Sequence, residues 1–161
     1  MSDKEKSCCF FGNILVLDTL KPKLQKAVRS AVEEGYRIFY VGRYGAYDRE
    51  VLSVLKEEKA VFPEIEIRVV LRLPPEAKKE MISERTLSDA LMTGTMFFGE
   101  AGFSFKERIV ISARKTAHLC SLAICDYQEG FDDTVDAVMR FAQAEGLKII
   151  NLMRSINYAD L

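Results

Sequence analysis

Apolar and polar positions along the chain fall into a repeating order, in which short apolar runs alternate with stretches of helical periodicity. Cys8-Cys9-Phe10-Phe11 is a continuous apolar run closing on Gly12-Asn13, the pattern of a strand buried on both faces. From Pro22 onward Leu24, Ala27, Val28, Ala31 and Val32 recur at helical spacing; Pro22 suits a first turn and Gly35 a C-terminal stop. Tyr36 to Val41 follows at once as a second strand. That succession is a β-α-β unit, whose crossover implies parallel strands in one sheet. Ile14 to Leu20, between the first strand and the helix, reads either as another strand or as a covering loop.

The alternation continues to the end of the chain. Val51, Leu52, Val54 and Leu55 mark a helix closed by Pro63. Ile65, Ile67, Val69 and Leu71 then alternate with Glu64, Glu66, Arg68 and Val70, which predicts a strand near a sheet edge, ended by Pro74-Pro75. The charged stretch 76–89 reads as a solvated helix or mobile segment. Met92 to Phe105, with its glycines and phenylalanines, reads as a loop or short strand over the sheet, of the kind that borders a ligand pocket. Lys106 to Leu119 is helical, with Ile109, Val110, Ala113, Ala117 and His118 near one face. Leu122 to Cys125 is a strand, Thr134 to Ala144 a helix capped by Asp132 or Asp133 and stopped by Gly146, and Leu147 to Leu152 a last strand. No repeat or linker interrupts the series. The expectation is an α/β fold, a single domain over residues 7–153, with an open, mostly parallel, doubly wound sheet and helices on both faces.

Composition narrows the function more than the fold. The chain has 161 residues, 48% of them apolar, and its 23 basic and 24 acidic side chains leave a net charge of −1. Such a balance gives no overall pull toward nucleic acid or an anionic membrane, so nucleic acid is disfavoured as a partner and no membrane association is expected. No apolar run approaches the roughly 20 residues of a membrane span, which makes the cytoplasm the expected location. The four cysteines, Cys8, Cys9, Cys120 and Cys125, lack zinc-site spacing and read as small, buried, free thiols. No metal and no cofactor is implied. The one histidine, His118, has no serine motif near it.

Candidate chemistry gathers after the second strand. Arg37 to Asp48 runs from an apolar strand through Gly42-x-x-Gly45 into a helix, an arrangement that lets backbone approach a ligand and turns helix N–H groups toward an anion. Asp48, just inside the helix, suits a ribose hydroxyl or simply the helix N-terminus. Gly12 and Asn13 end the first strand, where open α/β sheets place ligands. Arg108 and Arg114 suit phosphate contact, Arg114 the more so.

These pieces, together with Val69-Val70-Leu71, Arg108-x-x-Ile111-x-x-Arg114 and Gly146-x-x-Ile149-Ile150-Asn151-Leu152, fall in the order seen in the SLOG superfamily. The chain most resembles its YpsA-like, DUF1273-type bacterial branch over roughly residues 7 to 153. The resemblance implies a Rossmann-like sheet that binds a nucleotide or nucleotide derivative, such as ADP-ribose or NAD, at its strand ends. More distantly, the chain is similar to LOG-type enzymes that cleave the bond between base and ribose 5′-phosphate. Those enzymes carry an Arg-Lys pair, matched here by Arg114-Lys115, and a Pro-Gly-Gly-x-Gly-Thr-x-x-Glu loop. At the corresponding place stands Glu129-Gly130-Phe131-Asp132-Asp133-Thr134-Val135-Asp136-Ala137, which keeps only Gly130 and Thr134 and has Ala137 where the glutamate stands.

Two function classes follow from that resemblance. One is a binding or sensing module for a nucleotide-type small molecule, without catalysis, using Gly12, Asn13, Gly42, Gly45, Asp48, Arg108, Arg114, Gly130 and Thr134. The other is a nucleoside monophosphate hydrolase, in which Asp136 stabilises an oxocarbenium-like centre and Arg114 positions the phosphate. Loss of the glycine loop and of the terminal glutamate favours binding. A homodimer stays open as a further partner. Gly12, Gly42, Gly45, Asp48, Arg114, Gly130 and Thr134 are expected around one cavity at the carboxyl ends of the strands.

Overall fold

The fold is taken from a computed structural model, which describes residues 2–12, 19–42, 45–73, 95–98 and 104–155. Asn13, the stretch 76–89 and most of 92–105 lie outside those residues. A short 3-10 turn (Lys4–Lys6) leads into β1 (Ser7–Gly12), followed by α1 (Leu20–Glu33), β2 (Ile38–Val41), α2 (Ala46–Val61), β3 (Glu66–Leu73), β4 (Thr95–Phe98), α3 (Phe105–His118), β5 (Leu122–Asp126), α4 (Asp133–Ala144) and β6 (Lys148–Asn151). The strands form one six-stranded sheet in the order β4-β3-β2-β1-β5-β6, and every pairing is parallel. This is the doubly wound α/β architecture that the alternation of strand and helix patterns predicts.

Both faces of the sheet are covered, which is why its central strands are apolar without interruption. Cys8 and Phe10 of β1 and Leu122 and Ile124 of β5 point into a core shared with α1 and α2. Cys9, Phe11, Ala123 and Cys125 point the other way, into a core shared with α3 and α4. Adjacent Cys8 and Cys9 thus lie in different cores because strand side chains alternate, and all four cysteines are buried and free. Arg29 of α1 grips Glu58 of α2 at 3.1 and 3.0 Å and stacks over Phe62, so the one buried carboxylate between these helices has a two-pronged partner.

The helix ends follow local chemistry. Gly35 (φ 110°) and Gly146 (φ 80°) end α1 and α4 in the left-handed region, which a side chain would strain. Ser104 and Glu107 form a reciprocal capping box at α3, and Asp132, rather than Asp133, caps α4 through the amides of Thr134 and Val135.

Two expectations change. β3 lies next to the edge, as expected, but Thr95–Phe98, inside the stretch read as a loop or short strand over the sheet, instead joins the sheet beside Val70–Leu73 and forms its edge. The polar residues of β3 have a different reason, since Arg68 bonds Glu66 on its own strand and the Tyr40 hydroxyl on β2. His118 does not join the buried face of α3; it is exposed and meets Glu145 at 3.3 Å. At the last turn of a helix a polar ring is better solvated outside than packed inside.

Candidate functional site

In a doubly wound sheet the ligand crevice opens where successive crossovers turn to opposite sides. Here the chain builds outward from β1 through β2, β3 and β4, then returns to place β5 and β6 on the other flank, so the reversal lies between β1 and β5. Gly12 and Asp126, the last residues of those two strands, are direct partners in the ladder. Each helix begins at this carboxyl-terminal rim, because each runs back antiparallel to the strand before it.

Tyr47, in the first turn of α2, fills one side of that crevice. Its hydroxyl donates to the Ile124 carbonyl at 2.8 Å, and its ring lies so close to Gly12 that a Cβ there would stand 2.7 Å from Cγ and 2.8 Å from Cδ1. The glycine at the end of β1 therefore makes room for a phenol, not directly for a ligand. Burial pushes the Tyr47 hydroxyl well above its ordinary pKa, with Cys125, Asp126, Cys8 and Asp48 adding to the effect. It stays a neutral donor.

With the α2 side closed at Gly12, open space remains on the opposite face. A cavity of about 80 Å³ runs under α3, floored by Cys9, Phe11, Tyr40, Val70 and Val138 and flanked by Ser112 and Thr116; Gly12, Gly42, Asp48 and Thr134 stand at its rim end. An apolar cavity of about 150 Å³ takes a benzene ring, and this one is smaller. Four expected residues thus meet at one place. Gly45, the N-cap of α2, adjoins them in sequence.

The other expected residues are placed differently. Arg114 is exposed, with its guanidinium 5.6 Å from the centre of the Phe141 ring on the outer side of α3 and α4, and it does not reach the cavity. Arg108, less than two turns nearer the rim, is half-buried, and its Nε has no hydrogen-bond partner. A six-residue separation on a straight helix puts the two arginines on different faces and at different heights. Gly130 is exposed in the β5–α4 turn at φ 80°, and its amide donates to Asp136 at 3.2 Å. Asp136 is 8% exposed and also accepts from the Tyr127 hydroxyl at 2.7 Å; withdrawal from water, and then this bond to a carboxylate, push the Tyr127 pKa up to about 12. Asn151 holds the same turn from β6, exchanging bonds with the Tyr127 backbone at 3.2 and 2.9 Å. Asp136 is engaged in shaping this turn. Asn13 lies outside the described residues.

Sequence reading missed Tyr47 and Asp126. Asp126 is 8% exposed, and burial raises its pKa while nearby Lys23 pulls the other way. The available signal was the single carboxylate ending an otherwise apolar strand at the predicted strand-end rim. Among the described residues no group of three or more His, Cys, Asp and Glu could hold a metal ion, and no helix is long and apolar enough to cross a membrane.

Among the described residues, the four helix N-termini at the rim are not equivalent. α3 and α4 carry their own side-chain caps, whereas Thr19 and Gly45 give α1 and α2 none. The first turn of α1 holds no acid and carries Lys21 and Lys23; Lys21 pairs with Glu57 at 3.0 Å. A net charge near zero conceals these two lysines in one helical turn beside the switch point.

No family model matches the chain, and no curated protein matches it in sequence. Among solved structures, a study of the single-stranded DNA binding mode of DNA processing protein A from Helicobacter pylori aligns with a TM-score of 0.62 at 11% identity, over 95% of this chain and 72% of that one. A mandelate racemase/muconate lactonizing protein from Herpetosiphon aurantiacus aligns with a TM-score of only 0.32 at 13% identity, over 90% of this chain and 46% of that one. The first likeness establishes a shared Rossmann-like α/β fold. It also corrects the reading of near-neutral charge as grounds against a nucleic-acid partner, because a protein of this fold binds single-stranded DNA.

Proposed function

We propose that the carboxyl-terminal rim of the sheet binds nucleotide units of a single-stranded nucleic acid, without catalysis. The observation that carries this reading is the N-terminus of α1: it follows the switch-point strand, Thr19 gives it no side-chain cap, and its first turn brings Lys21 and Lys23 with no acid. The helix N-terminus and the Lys23 ammonium favour a phosphate there, and the small cavity beyond Gly12 and Gly42 suits a group projecting from a chain better than a whole free nucleotide. The single-stranded DNA binding described for a protein of like fold supports the same class of ligand. The chain is read as a SLOG-superfamily domain over residues 7–153 with a recast phosphate loop. Its four free cysteines suit a reducing cytoplasm.

Hydrolase chemistry is less well supported, because Asp136 is engaged by Tyr127 and Gly130, and Arg114 stands over Phe141. The test is fluorescence anisotropy with labelled single-stranded oligonucleotides across a salt series. Binding should weaken with salt, with a log–log slope of about −0.7 for each phosphate contact, and Lys23→Ala should make that slope shallower by about one such step. Thermal stabilisation by AMP, ADP-ribose or NAD, with no oligonucleotide binding, would transfer the site to a free nucleotide. Base release from a nucleoside monophosphate would revive the hydrolase, and absence of all three would overturn the reading.

A further inference from the structure

Three large apolar side chains are exposed among the described residues, and only one of them is an aromatic ring at the carboxyl-terminal rim. Val61 and Leu119 stand where α2 and α3 end, away from that rim; Phe131, 58% exposed, stands in the turn between β5 and α4, within four residues of Thr134 and Val135 at the cavity. An apolar residue just ahead of a helix cap ordinarily packs on the fourth residue of that helix. With Asp132 as the cap of α4 that fourth residue is Asp136, whose carboxylate takes the Tyr127 hydroxyl and the Gly130 amide, so the usual apolar partner is missing. The turn beneath the ring is nevertheless braced. The Phe131 amide donates to the Gln128 carbonyl at 3.3 Å, Gly130 is tied to Asp136, and Asn151 of β6 holds the Tyr127 backbone. A ring presented on a fixed turn loses little freedom on meeting a ligand. Its neighbours Glu129, Gly130, Asp132 and Asp133 add no apolar surface, so the patch is too small for a protein interface and matches a single planar ring with polar edges.

We propose that Phe131 is the platform on which a base of the bound single strand stacks. This rests on the nucleic-acid reading above and deepens it, because it names the residue that meets the base. Every base has a π-face, so stacking on an aromatic ring holds single strands of any sequence. The carboxylates of Glu129, Asp132 and Asp133 around the ring repel phosphate and do not repel a neutral base, so this turn meets the base side of the strand. Removal of such a ring weakens strand binding by about 5- to 150-fold.

The chain has no tryptophan, so Phe131→Trp installs a single fluorescent indole at the platform. Anisotropy measures the affinities of wild type, Phe131→Ala and Phe131→Trp for an oligothymidine strand and for an abasic strand of the same length, which keeps the phosphates and lacks the bases. Phe131→Ala should weaken oligothymidine by the factor above, bind the abasic strand as wild type does, and keep the salt slope, which counts phosphate contacts. Phe131→Trp should hold oligothymidine at least as tightly as wild type, its emission quenched by that strand and not by the abasic one. Both variants should melt with wild type, since the ring lies outside the core. A Phe131→Ala protein that binds both strands as wild type does, or weakens both alike, would overturn the proposal and leave nucleic-acid binding standing, as would an indole whose emission saturating oligothymidine leaves unchanged. A Phe131→Ala protein that melts well below wild type would make the ring a packing residue and overturn it too. A wild type that binds neither strand would bring down both readings together.

Discussion

Gly12→Ala places one methyl group against the ring that closes the crevice. The new Cβ would stand 2.7 and 2.8 Å from Tyr47 Cγ and Cδ1, where carbon atoms settle at about 3.5–4.0 Å, so the ring must retreat by roughly 1 Å. It is poorly placed to do so, being 2% exposed, packed in the α1–α2 core and tied to the Ile124 carbonyl. Overpacking of this kind costs about 1–3 kcal/mol, and loss of the phenol's hydrogen bond about 0.5–1.5 kcal/mol more. Against this, Gly12 is not in the left-handed region, so alanine gains roughly 0.4–1 kcal/mol from the less flexible unfolded chain. The balance is a destabilisation of about 1–3 kcal/mol, which at this chain length lowers the melting temperature by roughly 2–10 °C. Thermal and urea unfolding measure it, with an unchanged urea m value showing that stability alone has moved. In a Tyr47→Ala background the clash has no partner, and Gly12→Ala should become neutral or mildly stabilising. A Gly12→Ala protein as stable as wild type, or one whose penalty persists without the ring, would refute the reasoning.

Asp136→Ala should destabilise the protein by about 1–3 kcal/mol, read by urea unfolding, because it leaves the Tyr127 hydroxyl and the Gly130 amide without their acceptor. Arg114→Ala should leave oligonucleotide affinity in the anisotropy assay within about twofold of wild type, since the side chain stacks on Phe141, a contact worth about 0.5–1 kcal/mol of stability at an exposed site. Asp126 titrates higher in the folded state than in the unfolded chain, in surroundings that include Lys23, Tyr47 and Asp48. Its contribution is therefore fully present below the unfolded pKa of about 3.9 and is lost as pH rises through the folded value. Melting temperatures at pH 3.5 and pH 7 should show Asp126→Asn gaining on wild type at the higher pH; a constant difference would contradict the shift.

Local chemistry wrote the alternation of elements into the sequence. An apolar run flanked by amphipathic helices can be satisfied only as a strand covered on both faces, and Cys8 to Phe11 is legible in that way without coordinates. Gly35, Gly146 and Asp132 likewise end or begin helices for reasons contained within a few residues. The edge strand was not legible, because Thr95–Phe98 is four residues long and acquires its character only by pairing with β3. Site residues divided along the same line. That Gly12, Gly42, Asp48 and Thr134 would meet was legible because strand ends and helix starts come together at one rim in any doubly wound sheet. Arg114 was misplaced, since motif spacing does not say which face of a helix looks outward. Tyr47 was invisible because its role depends on a carbonyl 77 residues away, a distance that only the folded chain closes.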